Sequence, residues 1–373
     1  MIPYSTQDIS DADVKAVVAA LKSGWLTQGP AIEQFEKALA KKVGATYAVA
    51  FSSGTAALHA AYFAAGVKPG DEVIVPALTF AATANAALYL GAKPVFADID
   101  LSTYTISADD VKKKITKKTK LLVPVDYAGR PADMRAMRAL ARRHSLVLIE
   151  DGAQSLGAAY GDRMVGTQAD MTMFSFHPVK SITAGEGGAI VTNNEQYYRL
   201  LKLFRSHGIT RDPHFLEKPD EGPWHQEQHA LGHHYRITDI QAALVHSQLK
   251  RLSGFIAKRR AAARRYPKLL SGLPLILPPA DTKDVQGAWH LYPIRVDAKV
   301  RKAVFNHMRA AGIGVQVHYL PVYLHPYYRR LGYKKGLCPN AEEFYAQEIS
   351  IPLFARITQA QQRVVAKTLR EVL

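Results

Sequence analysis

Two stretches decide the fold: Leu146-Val147-Leu148-Ile149-Glu150-Asp151 and, ending twenty-nine residues beyond Asp151, Ser175-Phe176-His177-Pro178-Val179-Lys180. The first is an apolar run closed by a carboxylate. The second carries an apolar segment, Met171–Phe176, into a lysine that is followed by Gly185-Glu186-Gly187-Gly188. Short and nearly all-apolar runs of this kind read as strands buried on both faces.

Outward from this pair, the strand candidates are Tyr47–Ser52, Glu72–Val75, Pro94–Asp98, Leu121–Val125, Leu146–Asp151, Met171–Phe176 and Ala189–Thr192. Helical patterns lie between many of them, at Ala56–Ala65, Ala81–Leu90, Ala132–His144 and Glu195–His207. Strands alternating with helices predict an α/β fold whose mostly parallel sheet is covered by helices. Ligands in such sheets gather at the carboxyl ends of the strands, where Asp151 and the approach to Lys180 fall. Gly208–His229, with three prolines, reads as a long loop, and a helical, basic stretch runs from Ile237 to about Leu270. Beyond it, strands at His290–Val296 and Val315–Val317 and helices at Arg301–Ala311, Ala341–Ile349 and Thr358–Val372 predict a smaller α+β domain. The expected division is a large domain at residues 1–245 and a small one at 246–373.

The bulk properties set limits. The chain of 373 residues is 48% apolar and 21% charged, as expected for a soluble globular protein of about two domains. No run approaches the roughly 20 apolar residues of a membrane span. The first residues show no basic segment followed by an apolar core, so no signal peptide is expected and the expected compartment is cytoplasmic. A single cysteine, Cys338, rules out an intrachain disulfide and a cysteine metal cluster; no metal is expected. The formal net charge of +16 favours anionic ligands. The basic run Lys112-Lys113-Lys114, Lys117-Lys118 and Lys120 reads as a solvated helix end before a buried strand. It lacks aromatic interleaving, and no nucleic-acid module is recognisable.

A lysine and a carboxylate at neighbouring strand ends suit a pyridoxal phosphate site. The amine forms a Schiff base with the aldehyde, and the carboxylate faces the pyridine nitrogen and keeps it protonated. Such a lysine also shuttles protons, which calls for a depressed pKa. Ser52-Ser53-Gly54-Thr55-Ala56 follows a strand and opens a helix, so its amides could hold a phosphate dianion; it could equally be an ordinary capped helix start. Asp151 could instead be a surface carboxylate or a helix cap, and Lys180 an exposed cation. Phe80, at the start of a helix, could stack on a flat ring or simply pack in the core.

Taken jointly, these stretches resemble the sugar aminotransferases of the DegT/DnrJ/StrS group, fold type I pyridoxal phosphate enzymes. The likeness runs nearly end to end through Gly24-Trp25-Leu26-Thr27-Gln28-Gly29-Pro30, Ser53-Gly54-Thr55, Phe80-Ala81-Ala82-Thr83-Ala84-Asn85, Glu150-Asp151-Gly152-Ala153-Gln154, Ser175 to Lys180 and Gly232–Leu244. It implies a large domain built on a seven-stranded sheet and a homodimer with active sites at the subunit interface. It implies that Lys180 bonds the cofactor and that Asp151 pairs with the ring nitrogen. Gln154 would reach the ring hydroxyl, Phe80 would stack on the ring, and Ser53, Gly54, Thr55 and Ser175 would hold the phosphate. The Gly232–Arg236 stretch would reach the partner subunit's phosphate. Here it reads Gly232-His233-His234-Tyr235-Arg236, with His234 where the family commonly has asparagine.

Within the family the pieces are most similar to the transaminases of pseudaminic acid biosynthesis. The likeness includes Val125-Asp126-Tyr127-Ala128-Gly129, Phe204-Arg205-Ser206-His207-Gly208 and Gln316-Val317-His318-Tyr319-Leu320-Pro321-Val322-Tyr323. This implies amination of UDP-2-acetamido-2,6-dideoxy-β-L-arabino-hexos-4-ulose with L-glutamate as donor. Tyr4, Gly24, Trp25, Leu26, Thr27, Ser53, Ser175, Gln316, Val317, His318 and Tyr319 would surround the sugar nucleotide. On the bare sequence, His318 and Tyr319 could equally be strand residues at a domain seam. The competing expectations are another nucleotide-sugar aminotransferase and, from a different class, a non-catalytic nucleic-acid-binding or regulatory protein on the same fold. Dehydratase relatives replace the lysine with histidine, whereas Lys180 is present.

Overall fold

The computed structural model describes all residues from Met1 to Leu373. All seven expected strands form one sheet: β1 (Tyr47–Phe51), β2 (Glu72–Pro76), β3 (Lys93–Ala97), β4 (Thr119–Leu122), β5 (Val147–Asp151), β6 (Met171–Ser175) and β7 (Gly188–Thr192). Their spatial order is β1-β7-β6-β5-β4-β2-β3. The pairs from β3 through β2, β4 and β5 to β6 are parallel, whereas β7 runs antiparallel between β6 and β1. The reversal turns the amino end of β7, at Gly188, toward the carboxyl ends of β1, β5 and β6. One edge of the sheet therefore collects Ser53, Asp151, Ser175 and the glycine-rich turn.

Helices cover both faces: α1 (Asp11–Lys22), α2 (Pro30–Val43), α3 (Gly54–Ala64), α4 (Ala81–Tyr89), α5 (Ala108–Lys114), α6 (Met134–Arg143) and α7 (Glu195–Arg205). The expected solvated helix end is the last turn of α5, where Lys112 and Lys113 are exposed and the Lys114 amine donates to the Phe96 carbonyl at 2.7 Å. Apolar side chains fill both sides of the sheet: Phe51, Phe96 and Tyr62 of α3 belong to one core cluster, and Phe174, Phe176 and Phe35 of α2 to another.

Helix α8 (Asp239–Leu269) is continuous for 31 residues. It opens with a Thr238–Gln241 capping box, lies against α1 and α2, and then carries Ala262, Ala263 and Tyr266 into the core of the second lobe. The expected boundary at 245/246 thus falls inside a helix that serves both lobes. The first residues also pair with the second lobe: Ile2 bridges Ile313, and the Gly314 amide donates to the Ile2 carbonyl.

Three expectations need correction, the smallest being that the Ala341–Ile349 helix ends at Gln347, where the chain passes into the Glu348–Ile351 strand. Val315–Val317 is not a strand. Only an isolated bridge between Gln316 and Ser350 forms there, on the edge of the Glu348–Ile351 strand opposite its pairing with Tyr292–Arg295, and Gln316 exchanges two backbone hydrogen bonds with Ser350 without extending into a ladder. Gly208–His229 is not free of regular structure, since Ile209–Thr210 pairs antiparallel with Glu227–Gln228 and pins the loop at its base. No helix is long and apolar enough to cross a membrane, and no group of three or more His, Cys, Asp or Glu is placed to hold a metal ion.

Candidate active site

At the carboxyl edge of the sheet lies a cavity of about 410 Å³, closed on one side by the second lobe. Its walls include Asp151, Lys180, Ser53, Gly54, Thr55, Ser175, Phe80, Gln154, Tyr4, His318 and Tyr319. Residues far apart in the sequence meet here because β1, β2, β5 and β6 all end on this edge.

Asp151 is the last residue of β5 and is buried. Its Oδ2 accepts from Thr83 Oγ1 at 2.7 Å and its Oδ1 from the Ala153 amide at 3.1 Å. Burial raises its pKa, while those two donors and the charge of Lys180 oppose the rise. No guanidinium or ammonium pairs with it as a salt bridge. The carboxylate thus faces the cavity with a charge that the protein solvates only through neutral donors. Lys180 lies within the Phe176–Gly187 turn, which the Phe176 amide closes by donating to the Gly187 carbonyl. Burial pushes the Lys180 amine down from 10.5 to about 8, against the pull of Asp151.

Helix α3 points its amino end into the cavity. Ser53 caps it, its Oγ accepting from the Ala56 amide at 3.1 Å, so the Ser53 side chain is engaged in capping. The first amides, of Gly54 and Thr55, have no acceptor within the protein, as the opening of a helix requires. Two glycines allow this approach. A Cβ on Gly188 would lie 2.6 Å from the Gly54 nitrogen and the Ser53 carbonyl, and one on Gly54 would lie 3.2 Å from Ser175 Cβ. Free amides on a helix N-terminus, beside small residues, suit a phosphate dianion.

Phe80, the N-cap of α4, is 62% exposed, so the core-packing alternative does not hold. Its ring stands at the cavity with Tyr319 edge-on, centroids 6.1 Å apart. Both ends of the Gln154 amide are occupied: Oε1 accepts from the Ala128 amide at 2.7 Å, and Nε2 donates to the Tyr319 hydroxyl at 3.2 Å.

Other expected residues lie elsewhere in the protomer. Gly24, Trp25, Leu26 and Thr27 form an exposed turn outside this cavity, tied to the start of α8 where the Asp239 amide donates to the Leu26 carbonyl. Gln316 is exposed and Val317 half-buried, and neither lines the cavity. His234 is exposed on a segment that bridges Ser206. That segment still adjoins the phosphate end, because the Ser52 amide donates to the Tyr235 carbonyl at 2.8 Å.

The sequence reading left Thr79, Thr83, Glu186 and His290 without roles, yet all four line the cavity. Thr83 was legible in part, since it lies four residues after Thr79 at the start of a helix. His290 gave no signal. It is buried, and its Nδ1 has no partner in the protein.

The chain is similar in sequence and in overall fold to known proteins. The model of the DegT/DnrJ/EryC1/StrS aminotransferase family matches residues 7–370. The spore coat polysaccharide biosynthesis protein SpsC of Bacillus subtilis is 38% identical over 377 residues, covering 100% of this chain and 97% of that one. Among solved structures, the putative sugar aminotransferase Spr1654 from Streptococcus pneumoniae, in its PMP form, superposes with a TM-score of 0.94 at 31% identity, covering 100% of this chain and 99% of that one. The same protein in its PLP form superposes at 0.93. Helicobacter pylori PseC, an aminotransferase involved in the biosynthesis of pseudoaminic acid, superposes at 0.92 with 33% identity, covering 100% and 98%.

Proposed function

The chain belongs to the DegT/DnrJ/EryC1/StrS family and is a pyridoxal phosphate-dependent sugar aminotransferase, and we propose that it converts a UDP-linked 4-keto-6-deoxy amino sugar to the 4-amino sugar. The donor is L-glutamate, and the sugar is UDP-2-acetamido-2,6-dideoxy-β-L-arabino-hexos-4-ulose, the intermediate of pseudaminic acid biosynthesis. The observation that carries the catalytic part is the placement of a buried Asp151 carboxylate, held in no salt bridge, and the low-pKa Lys180 amine on one cavity. The likeness to PseC supports the choice of sugar.

These residues fit the cofactor. Free amides at Gly54 and Thr55, with Ser175, would receive its phosphate. Phe80 would cover one face of the ring. Asp151, whose ionised form the Thr83 and Ala153 donors favour against burial, would pair with the ring nitrogen, and Lys180 would supply the amine for the aldehyde. When bound, the cofactor supplies an electron sink for the carbon that loses its proton. Lys180 holds and returns protons beside that carbon, and a pKa near 8 lets it serve as base and then as acid at neutral pH. Thr83 fixes the orientation of Asp151 through its hydrogen bond to Oδ2.

The working unit in this reading is a homodimer. Support comes from the exposed Gly24–Thr27 turn and His234, expected site residues that do not line the cavity of their own protomer. A second copy would bring them to the neighbouring site. His234 would then replace the usual asparagine as a donor to phosphate, more strongly when protonated. The net charge of +16 favours capture of the nucleotide diphosphate.

The test is turnover of a panel of UDP- and dTDP-linked keto sugars with L-glutamate, products identified by mass and by the position of the new amine. Amination at C4 of the UDP sugar is expected. Preference for another nucleotide or ring position would reassign the enzyme within the family, and retention on DNA without cofactor colour would remove it from catalysis.

A further inference from the structure

His318 lines the cavity, but its side chain is tied to two groups behind the wall. Its Nδ1 lies 2.9 Å from Ser350 Oγ, and Ser350 Oγ lies 2.5 Å from Glu348 Oε1. Glu348 Oε2 accepts the backbone N–H of His318 itself at 2.8 Å, which holds the chain in register. Glu348 and Ser350 are buried on the Glu348–Ile351 strand, their side chains two residues apart on one face. The remaining ring nitrogen, Nε2, has no partner in the protein and is not among the fully buried unpaired atoms. It is the end of the chain that opens on the cavity.

A hydroxyl has one proton to give, so this chain has two consistent directions. With Glu348 ionised, Ser350 donates to Glu348 and accepts from Nδ1–H, which leaves Nε2 as a lone-pair acceptor. With Glu348 protonated, Glu348 donates to Ser350, Ser350 donates to Nδ1, and Nε2 carries the proton. The two states differ by a single proton. It enters at Nε2, the Nδ1 proton passes to Ser350 Oγ, and the hydroxyl proton of Ser350 passes to Glu348 Oε1. The imidazole is neutral before and after, and no other group changes.

We propose that Glu348, Ser350 and His318 form a proton relay that takes one proton from the cavity at His318 Nε2 and stores it on Glu348. Direct protonation of the ring is disfavoured, since burial and the charge of Lys180 bring His318 down to about 4. Burial raises Glu348 to about 8, so the far end of the relay binds a proton at neutral pH that the ring alone would not. The groups that face the ring are Lys180, His290, Tyr4 and Tyr319, and none of them is an anion that would stabilise an imidazolium. Around Glu348 stand Arg301, which favours its ionised form, and the phenols of Tyr104, Tyr127 and Tyr319. The inference rests on the aminotransferase reading only for its purpose: an amino donor arrives as an ammonium, and the fraction of enzyme whose Glu348 is ionised, which grows as pH rises toward 8, takes that proton before the nitrogen attacks.

The experiment is nitrogen NMR of the holoenzyme labelled at histidine, without substrate, with His318→Gln to assign the signal. Wild type is expected to show His318 protonated at Nδ1 above about pH 8 and at Nε2 below it. In Ser350→Ala the tautomer should stop following pH, and Ser350→Thr should restore the switch. Alongside, conversion of L-glutamate by Ser350→Ala should slow roughly a hundredfold in kcat with little change in KM. A single tautomer across the whole range in wild type, or an unchanged switch in Ser350→Ala, overturns the relay. A wild-type switch with no turnover of any amino donor keeps the relay and overturns the aminotransferase reading instead.

Discussion

The hydroxyl of Thr83 spends its only proton on Asp151. Thr83 Oγ1 lies 2.7 Å from Asp151 Oδ2 and 2.8 Å from Thr79 Oγ1. Donation to the carboxylate therefore requires Thr79 to donate to Thr83. The two threonines make a short directional chain that ends on the anion and favours its ionised form. Thr83→Val keeps the shape and removes the donor. Loss of a hydrogen bond to a charged group costs about 1.5–3 kcal/mol. Retention of pyridoxal phosphate should weaken roughly ten- to a hundredfold, read by absorbance titration of the apoprotein. Unchanged affinity would show that Asp151 needs no such support.

Gly188 and Gly185 should respond differently to the same substitution. A Cβ at Gly188 would sit 2.6 Å from backbone atoms of Ser53 and Gly54, which cannot rotate away. Gly188→Ala should therefore displace the start of α3, cost about 1–3 kcal/mol in denaturant unfolding, and weaken cofactor binding. Gly185 has φ of +79° but open space around it. Gly185→Ala should cost about 1–2 kcal/mol of backbone strain and leave cofactor affinity alone. Equal effects on affinity would contradict the close approach of β7 and α3.

Capture of the aldehyde needs Lys180 as the free amine. The rate at which the apoprotein takes up pyridoxal phosphate should rise with pH and level off above about 8, well below the ordinary lysine value of 10.5. In Asp151→Asn the plateau should begin at lower pH, because Asp151 raises the lysine and its removal leaves burial unopposed. A rate still climbing past the ordinary lysine value would mean that Lys180 is an exposed cation.

Acid stability should depend on the joint between α1 and α8. Asp13 is fully buried and accepts from Ser10, Ser247 and Gln248, with Arg251 beside it. Burial pushes its pKa up, but the donors from Ser247 and Ser10 and the Arg251 charge win and bring it below 3.8. A folded value below the unfolded one means stabilisation that is present above the unfolded pKa and lost as pH falls through the folded one. Asp13→Asn should destabilise at neutral pH by about 1.5–3 kcal/mol, with the gap from wild type closing below pH 3.8. A gap independent of pH would contradict the ionic part of this account.

All seven core strands were legible because each is an apolar run bounded by turn residues. Their order was not, since the antiparallel insertion of β7 between β1 and β6 is set by contacts such as Gly188 against Ser53 that no local pattern records. Lys180 and Asp151 stood out through spacing and flanking glycines. His290 and the Glu348–Ser350 pair did not, because each matters only through a neighbour remote in sequence. The Val315–Val317 run looked like a strand, but its contact with the Glu348–Ile351 strand stops at the single Gln316–Ser350 bridge.

The central claim is that Lys180 carries the cofactor. Borohydride reduction of the coloured holoenzyme, followed by peptide mapping, tests it most directly. The account predicts that visible absorbance is lost and that a reduced pyridoxyl group is found on Lys180, with no labelled peptide from Lys180→Ala. A label on any other lysine, or a colourless protein that takes up no cofactor, would contradict it.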